Sequence, residues 1–190
     1  MKEKKYIVIG GSAGSFQTVL KVLEVLPKDY PHVIFLIMHR LKNVRKGFIE
    51  ALSIKSKMQL LEPDDKDKIL LENVYLAPAN YHMYLEYDNT FSLSTEETVN
   101  HSRPSIDVSF FSAAFSFGSQ VIGILLSGAN KDGAAGLHAI KKAGGTTIVQ
   151  DPNDSQIQTM PQAAINLFKP DKILTSEQII DYLINIDYHD

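Results

Sequence analysis

Short aliphatic runs alternate along this chain with segments of helical periodicity, and that alternation most restricts what it can fold into. Residues 6–9, Tyr6-Ile7-Val8-Ile9, form a β-branched run that reads as a buried strand. Phe16, Val19, Leu20, Leu23 and Leu26 then recur at helical spacing, and Pro27 ends that segment. Val33–Met38 reads as a second buried strand, residues 44–52 as a short helix, 121–126 as a third strong strand and 146–149 as another. Ile106, Phe110, Phe111, Ala114 and Phe117 share one helical stripe, and its phenylalanines are expected in the core. Further helices are expected over 134–143, stopped by Gly144-Gly145, and over 163–168, with Pro161 in the first turn. Ser176 is placed as the cap of a last helix through Leu183. Between 59 and 93 the pattern changes. Short runs at 74–77, 83–87 and 90–93 are separated by turn residues such as Asp88-Asn89, which predicts antiparallel ribbon. The expected fold is α/β: a doubly wound, mostly parallel sheet with helices on both faces and an inserted antiparallel β ribbon. No repeat or long linker interrupts it, so residues 1–190 read as a single domain.

Composition narrows the function classes. The 44% hydrophobic and 22% charged fractions are those of an ordinary globular protein, which excludes a disordered or fibrous chain. A formal charge of −3 supplies no basic excess for nucleic acid. The absence of cysteine removes disulfides, thiolate metal sites and cysteine nucleophiles. The longest nearly apolar run, Val33–Met38, is far short of the ~20 residues that span a bilayer. The apolar stretch behind the N-terminal lysines is too short for an export signal, whose apolar region needs ~7–15 residues. A cytoplasmic chain with no membrane insertion is expected.

In a parallel α/β sheet, function collects beyond the carboxyl ends of the strands. Three loops there carry chemistry. The first, from Gly10, fails the dinucleotide pattern G-x-G-x-x-G in both registers but satisfies G-x-S-x-G as Gly10-Gly11-Ser12-Ala13-Gly14. It serves either as a glycine turn with Ser12 capping a helix or as a sharp turn exposing a nucleophilic hydroxyl. The second holds His39 at the end of Val33–Met38, either a structural histidine or a base within reach of the first loop. The third, residues 127–133, holds Asp132 at the start of a helix, either as a cap or as the acid that orients His39. The chain order serine, histidine, acid differs from that of α/β-hydrolases, where the acid precedes the histidine. His82, His101 and His138 show no metal-ligand spacing, so no metal is assigned.

Five blocks then occur in order: Gly10-Gly11-Ser12-Ala13-Gly14-Ser15, Met38-His39, Ala77-Pro78-Ala79-Asn80-Tyr81-His82-Met83, Arg103-Pro104-Ser105-Ile106-Asp107 and Asp132-Gly133-Ala134-Ala135-Gly136. A sixth, Met160-Pro161-Gln162-Ala163-Ala164, follows. Together they resemble the catalytic domain of the CheB family of chemotaxis protein-glutamate methylesterases, over nearly the whole chain. The resemblance implies a serine hydrolase on a Rossmann-like sheet, acting on glutamyl methyl esters of chemoreceptor cytoplasmic helices, with glutamine deamidation in some members. The family triad maps onto Ser12, His39 and Asp132. Backbone N–H groups near Ala13 or Ala129 are the oxyanion candidates, and Arg103 is the candidate for positioning substrate, with a structural ion pair as the alternative. No cofactor is implied.

The chain departs from the family pattern where Ala129 stands in place of a methionine, Asn130 in place of a glycine, and Ala13 in place of a threonine. Family members usually carry an N-terminal receiver domain, whereas only five residues precede Tyr6 here. The expectation is a catalytic domain without that control, which is constitutively active, governed by a separate regulatory protein, or changed in role. Arg40, Lys42, Arg45 and Lys46 form a basic group beside His39 that is either a solvated loop or an attractant for acidic receptor helices. Tyr81 and Tyr84 are candidates to line a groove. The alternatives to a hydrolase are a non-catalytic receptor-binding module on the same fold and a nucleotide-binding Rossmann protein, against which the broken glycine pattern argues.

Overall fold

The structure, a computed structural model, describes residues 4–39 and 45–186, without the side chains of 45 and 46. Seven parallel strands form one sheet in the order β3-β4-β2-β1-β7-β8-β9. They are β1 (Tyr6–Gly11), β2 (Val33–Met38), β3 (Gln59–Leu61), β4 (Asn73–Leu76), β7 (Val121–Leu125), β8 (Thr146–Gln150) and β9 (Lys172–Leu174). An antiparallel pair, β5 (His82–Leu85) and β6 (Phe91–Ser94), stands apart as the inserted ribbon. Six α-helices accompany them: α1 (Phe16–Val25), α2 (Arg45–Lys55), α3 (Ile106–Phe117), α4 (Ala134–Lys142), α5 (Thr159–Leu167) and α6 (Ser176–Ile184).

The unbroken apolar runs of β1, β2 and β7 are explained by burial on both faces of the sheet. Side chains alternate between faces along a strand. Ile34, Leu36 and Met38 therefore join Ile7 and Ile9 in a core with Val19 and Leu23 of α1, Leu52 of α2 and Leu183 of α6. Val33, Phe35 and Ile37 point the other way, into a core with Phe110 of α3, Leu137 of α4, Ala164 of α5 and Phe91 of the ribbon. At the α3–α4 crossing a Cβ on Gly136 would lie 2.9 Å from the Asp107 carbonyl oxygen, so only glycine permits that approach.

Three expectations need correction. The run at 74–77 is not ribbon: β4 pairs in parallel with β2 and β3 inside the main sheet, and only the later runs form the hairpin. Phe111 is not core, being 48% exposed while Phe110 is fully buried. A helical stripe of that width covers more than the face that docks. Ser176 does not cap α6. Thr175 does, in a reciprocal capping box with Gln178. Ser176 instead donates to Asp154 through N–H (2.8 Å) and Oγ (2.6 Å), and Gln150 Nε2 donates to the same oxygen at 2.9 Å. Asp154→Ala is expected to lower the unfolding free energy by about 1–2 kcal/mol, read from urea titration.

The order of the sheet fixes where a site can form. The chain runs outward from β1 through β2 to β3 at the edge, fills the gap between them with β4, then returns through the ribbon and α3 to place β7 on the other side of β1. The crevice of such a sheet lies beyond the carboxyl ends of the strands at this reversal. The loops after β1, β2 and β7 meet there.

Candidate active site

Ser12 follows β1 directly. Its N–H donates to the Ser127 carbonyl at 2.9 Å, and its own carbonyl accepts Ser15 N–H (3.1 Å) and Oγ (2.7 Å). Ser12 therefore stands ahead of α1, whose N-cap is Ser15, and it is not a cap. Among the described residues the Ser12 hydroxyl has no hydrogen-bond partner. Gly11 pairs with Met38 across β1 and β2, and His39 N–H donates to the Gly11 carbonyl at 3.1 Å. Register thus sets Ser12 and His39 at neighbouring strand ends.

His39 Nε2 lies 2.7 Å from Asp132 Oδ2. Asp132 is completely buried and is not the cap of the helix it precedes, α4, whose N-cap is Gly133. It serves α3 instead. Oδ2 also accepts Ile106 N–H at 2.7 Å, and Oδ1 accepts Asp107 N–H at 3.1 Å, Ser105 Oγ at 2.8 Å and Asn100 Nδ2 at 3.0 Å. Burial opposes ionisation of this carboxyl, but donation from His39, Ile106, Asn100 and Ser105 outweighs it and holds Asp132 below the usual carboxylate range. An ionised acid only accepts, so Nε2 carries the proton and Nδ1 is an acceptor. Ser102 Oγ lies 3.4 Å from that Nδ1.

Ser127 joins the loops. Its N–H donates to Gln150 Oε1 at 2.9 Å, and its Oγ lies 3.0 Å from the Ala13 carbonyl and 3.1 Å from the Ile157 carbonyl. Gly128 is wedged beside the serine: a Cβ there would fall 2.4 Å from Met160 Cε and 3.1 Å from Ser12 Cβ. Gly128→Ala is expected to displace Ser12 by a few tenths of an ångström. Any hydrolytic turnover through Ser12 should fall about tenfold or more, with the unfolding midpoint only slightly lowered. Met160 in the block 160–164 matters here as the buried wall behind Gly128.

The other predicted residues fare differently. Ala13 and Ala129 are both exposed, and their N–H groups have no hydrogen-bond partner among the described residues. The unusual Asn130 turns its Oδ1 to the Asp132 N–H at 3.1 Å, so the altered loop gains a bond at the acid. Arg103 forms no ion pair among the described residues; its Nη1 donates to the carbonyls of Thr95 (2.5 Å) and Glu96 (2.7 Å), tying the segment after β6 to the approach to α3. His82 is buried, with Nδ1 accepting Ser105 N–H at 3.3 Å and Nε2 2.9 Å from the Glu97 carbonyl. His138 stacks on Phe168. No cluster of metal-ligating side chains occurs among the described residues. Tyr84 lines a shallow groove with Phe111 and Phe115, of which Tyr81 is not a part. Arg40 and Lys42 lie outside the described residues, as do the side chains of Arg45 and Lys46. No helix among the described residues is long and apolar enough to cross a membrane.

Sequence reasoning missed Asn100, Ser102, Ser105 and the first N–H groups of α3. The block 103–107 carried the signal for Ser105 and the start of α3, but only its arginine drew a role, and Asn100 and Ser102 lie outside it.

Known proteins resemble this chain over most of its length. The family model described as CheB methylesterase matches residues 7–183. A Leptospira interrogans protein is 39% identical over 181 residues, covering 95% of this chain and 94% of that one; it bears the name protein-glutamate methylesterase/protein-glutamine glutaminase as a provisional one. A Bordetella pertussis protein of the same name is 35% identical over 185 residues, and there the match spans only 53% of its length. The crystal structure of the Thermotoga maritima CheB methylesterase catalytic domain superposes with a TM-score of 0.91 at 29% identity, covering 97% of this chain and 99% of that one. With a matching family model over nearly its full length and the same seven-stranded fold, this chain belongs to the CheB methylesterase family.

Proposed function

We propose that the chain hydrolyses glutamyl methyl esters on the cytoplasmic helices of chemoreceptors, and deamidates glutamines there, by acyl transfer through Ser12, His39 and Asp132. The observation that carries this reading is the 2.7 Å bond between His39 Nε2 and a fully buried Asp132, at the strand end beside Ser12. His39 Nδ1 takes the Ser12 proton as Oγ attacks the ester carbonyl carbon. The C–O bond to the methoxy group breaks, Nδ1 returns the proton and methanol leaves. Water then adds to the acyl-serine with Nδ1 again as base, releasing the glutamate side chain and regenerating Ser12. In deamidation ammonia leaves in place of methanol. Asp132 keeps the proton on Nε2 and stabilises the imidazolium. In this reading the N–H groups of Ala13 and Ala129, unengaged among the described residues, receive the oxyanion.

The test is methanol release from a methyl-esterified receptor cytoplasmic fragment, alongside ammonia release from its glutamine form. Turnover supports the reading. Tight binding of the fragment without turnover supports a receptor-binding module instead.

A further inference from the structure

Asp107 takes no part in the acyl transfer above, yet it is a buried carboxylate in the first turn of α3. Its Oδ1 accepts the Gly136 N–H of α4 at 2.7 Å, and its Oδ2 accepts Asn100 Nδ2 at 2.8 Å. The same nitrogen donates to Asp132 Oδ1 at 3.0 Å. A primary amide has two N–H bonds, and here both go to carboxylates. An oxygen in that position would face two anions, so the amide has one workable orientation. Asn100 sits in the left-handed region, at φ 50°, which asparagine and aspartate tolerate. The other groups around the pair are His39 on Asp132 Oδ2, His82 on the Ser105 N–H, and the N–H groups of α3 and α4. No lysine or arginine forms an ion pair with either carboxylate among the described residues. Burial and the neighbouring Asp132 charge push the Asp107 carboxyl upward.

We infer that Asn100 is a positioning residue for acyl transfer, holding Asp132 Oδ1 against the second carboxylate, Asp107, so that Oδ2 stays aimed at His39 Nε2. The inference rests on the triad reading of Ser12, His39 and Asp132. Its physical content is that two buried like charges share a donor. Without that donor one of them must turn away or take up a proton.

The test compares Asn100→Ala with the isosteric Asn100→Asp. A residue that merely fills space tolerates aspartate better than alanine. A residue needed as a donor tolerates aspartate worse, because a third carboxylate then faces the other two. Methyl-ester turnover is expected to fall about tenfold in Asn100→Ala, the scale of one lost hydrogen bond. It should fall about a hundredfold in Asn100→Asp, with KM little changed. The activity of Asn100→Asp relative to the unmodified chain should recover as pH is lowered from 8 to 6, since a proton shared among the carboxylates restores a donor. A second readout needs no turnover: the downfield proton resonance of His39 Nε2–H, expected in the unmodified chain and in Ser12→Ala, and lost in both Asn100 variants. If the unmodified chain shows no hydrolysis while the resonance follows this pattern, the acyl-transfer reading fails and the positioning of His39 through Asn100 stands. An unchanged resonance in the Asn100 variants, or aspartate milder than alanine, overturns the inference. Should Asn100→Asp not fold, the His39 Nε2–H resonance in Asn100→Ala decides. A resonance that persists in that variant overturns the inference whatever becomes of the aspartate variant.

Discussion

Ser12→Ala is expected to reduce methanol release from a methylated receptor fragment by about 10⁴-fold or more, while leaving the fold intact. Both halves follow from the same local structure. The Ser12 backbone is what the loop uses: its N–H is bonded to the Ser127 carbonyl, and its carbonyl receives Ser15. The hydroxyl has no hydrogen-bond partner among the described residues, so removing it leaves no buried group unsatisfied. The unfolding midpoint should therefore stay within about 1 °C of the unmodified chain, a change of a few tenths of a kcal/mol. Residual turnover above the water rate is expected from the oxyanion N–H groups and substrate binding alone. Full activity in the purified variant would remove Ser12 as the nucleophile, and with it the proposed mechanism.

Asp132→Asn is expected to damage both chemistry and fold. The loss of turnover should again be about 10⁴-fold, because an amide in place of the carboxylate no longer secures the proton on His39 Nε2. Asp132 also terminates α3, accepting the N–H groups of Ile106 and Asp107 on different oxygens. Whichever oxygen becomes NH₂ then faces a backbone N–H. With charge-assisted bonds worth about 1.5–3 kcal/mol each, a loss of about 3 kcal/mol in unfolding free energy is expected. The difference between the two chains should depend on pH. A carboxyl held low in the folded state stabilises fully above its unfolded value of about 4, and that contribution vanishes as pH falls through the folded value. Urea titrations from pH 7 down to 3 should therefore show the unmodified chain's advantage shrinking with acid. Asp107, held high by burial, works in the opposite sense and partly offsets the acid loss. An advantage independent of pH would mean that the Asp132 charge does not support α3.

The sequence is most informative where a side chain's role is local. The double-sided burial of β1, β2 and β7 is visible in their unbroken apolar runs, and strand ends lead directly to Ser12 and His39. Short elements are less legible. β3 and β9 are three residues long, and β4 resembles the neighbouring hairpin strands until its pairing is known. Tertiary choices are not legible at all. Asp132 sits beside the start of α4 in sequence, so a cap of α4 is the natural reading, yet its carboxylate turns to α3. Which imidazole nitrogen meets the acid likewise depends on how α3 is brought in over the ends of the strands. Asn100 carries no signature of its own, because its function lies in two carboxylates remote from it in pattern though near in space.

The reciprocal arrangement at α3 and α4, in which Asp132 before α4 supports α3 while Asp107 within α3 supports α4, bears on how a protein of this fold can lose its activity. The serine is structurally free and the acid is not. A lineage drifting toward pure binding can exchange Ser12 in one step at almost no cost in stability, whereas exchanging Asp132 undermines the start of α3. Inactive descendants should therefore be recognised by a missing serine over a retained aspartate, and the reverse combination should be found only where other substitutions have rebuilt the start of α3.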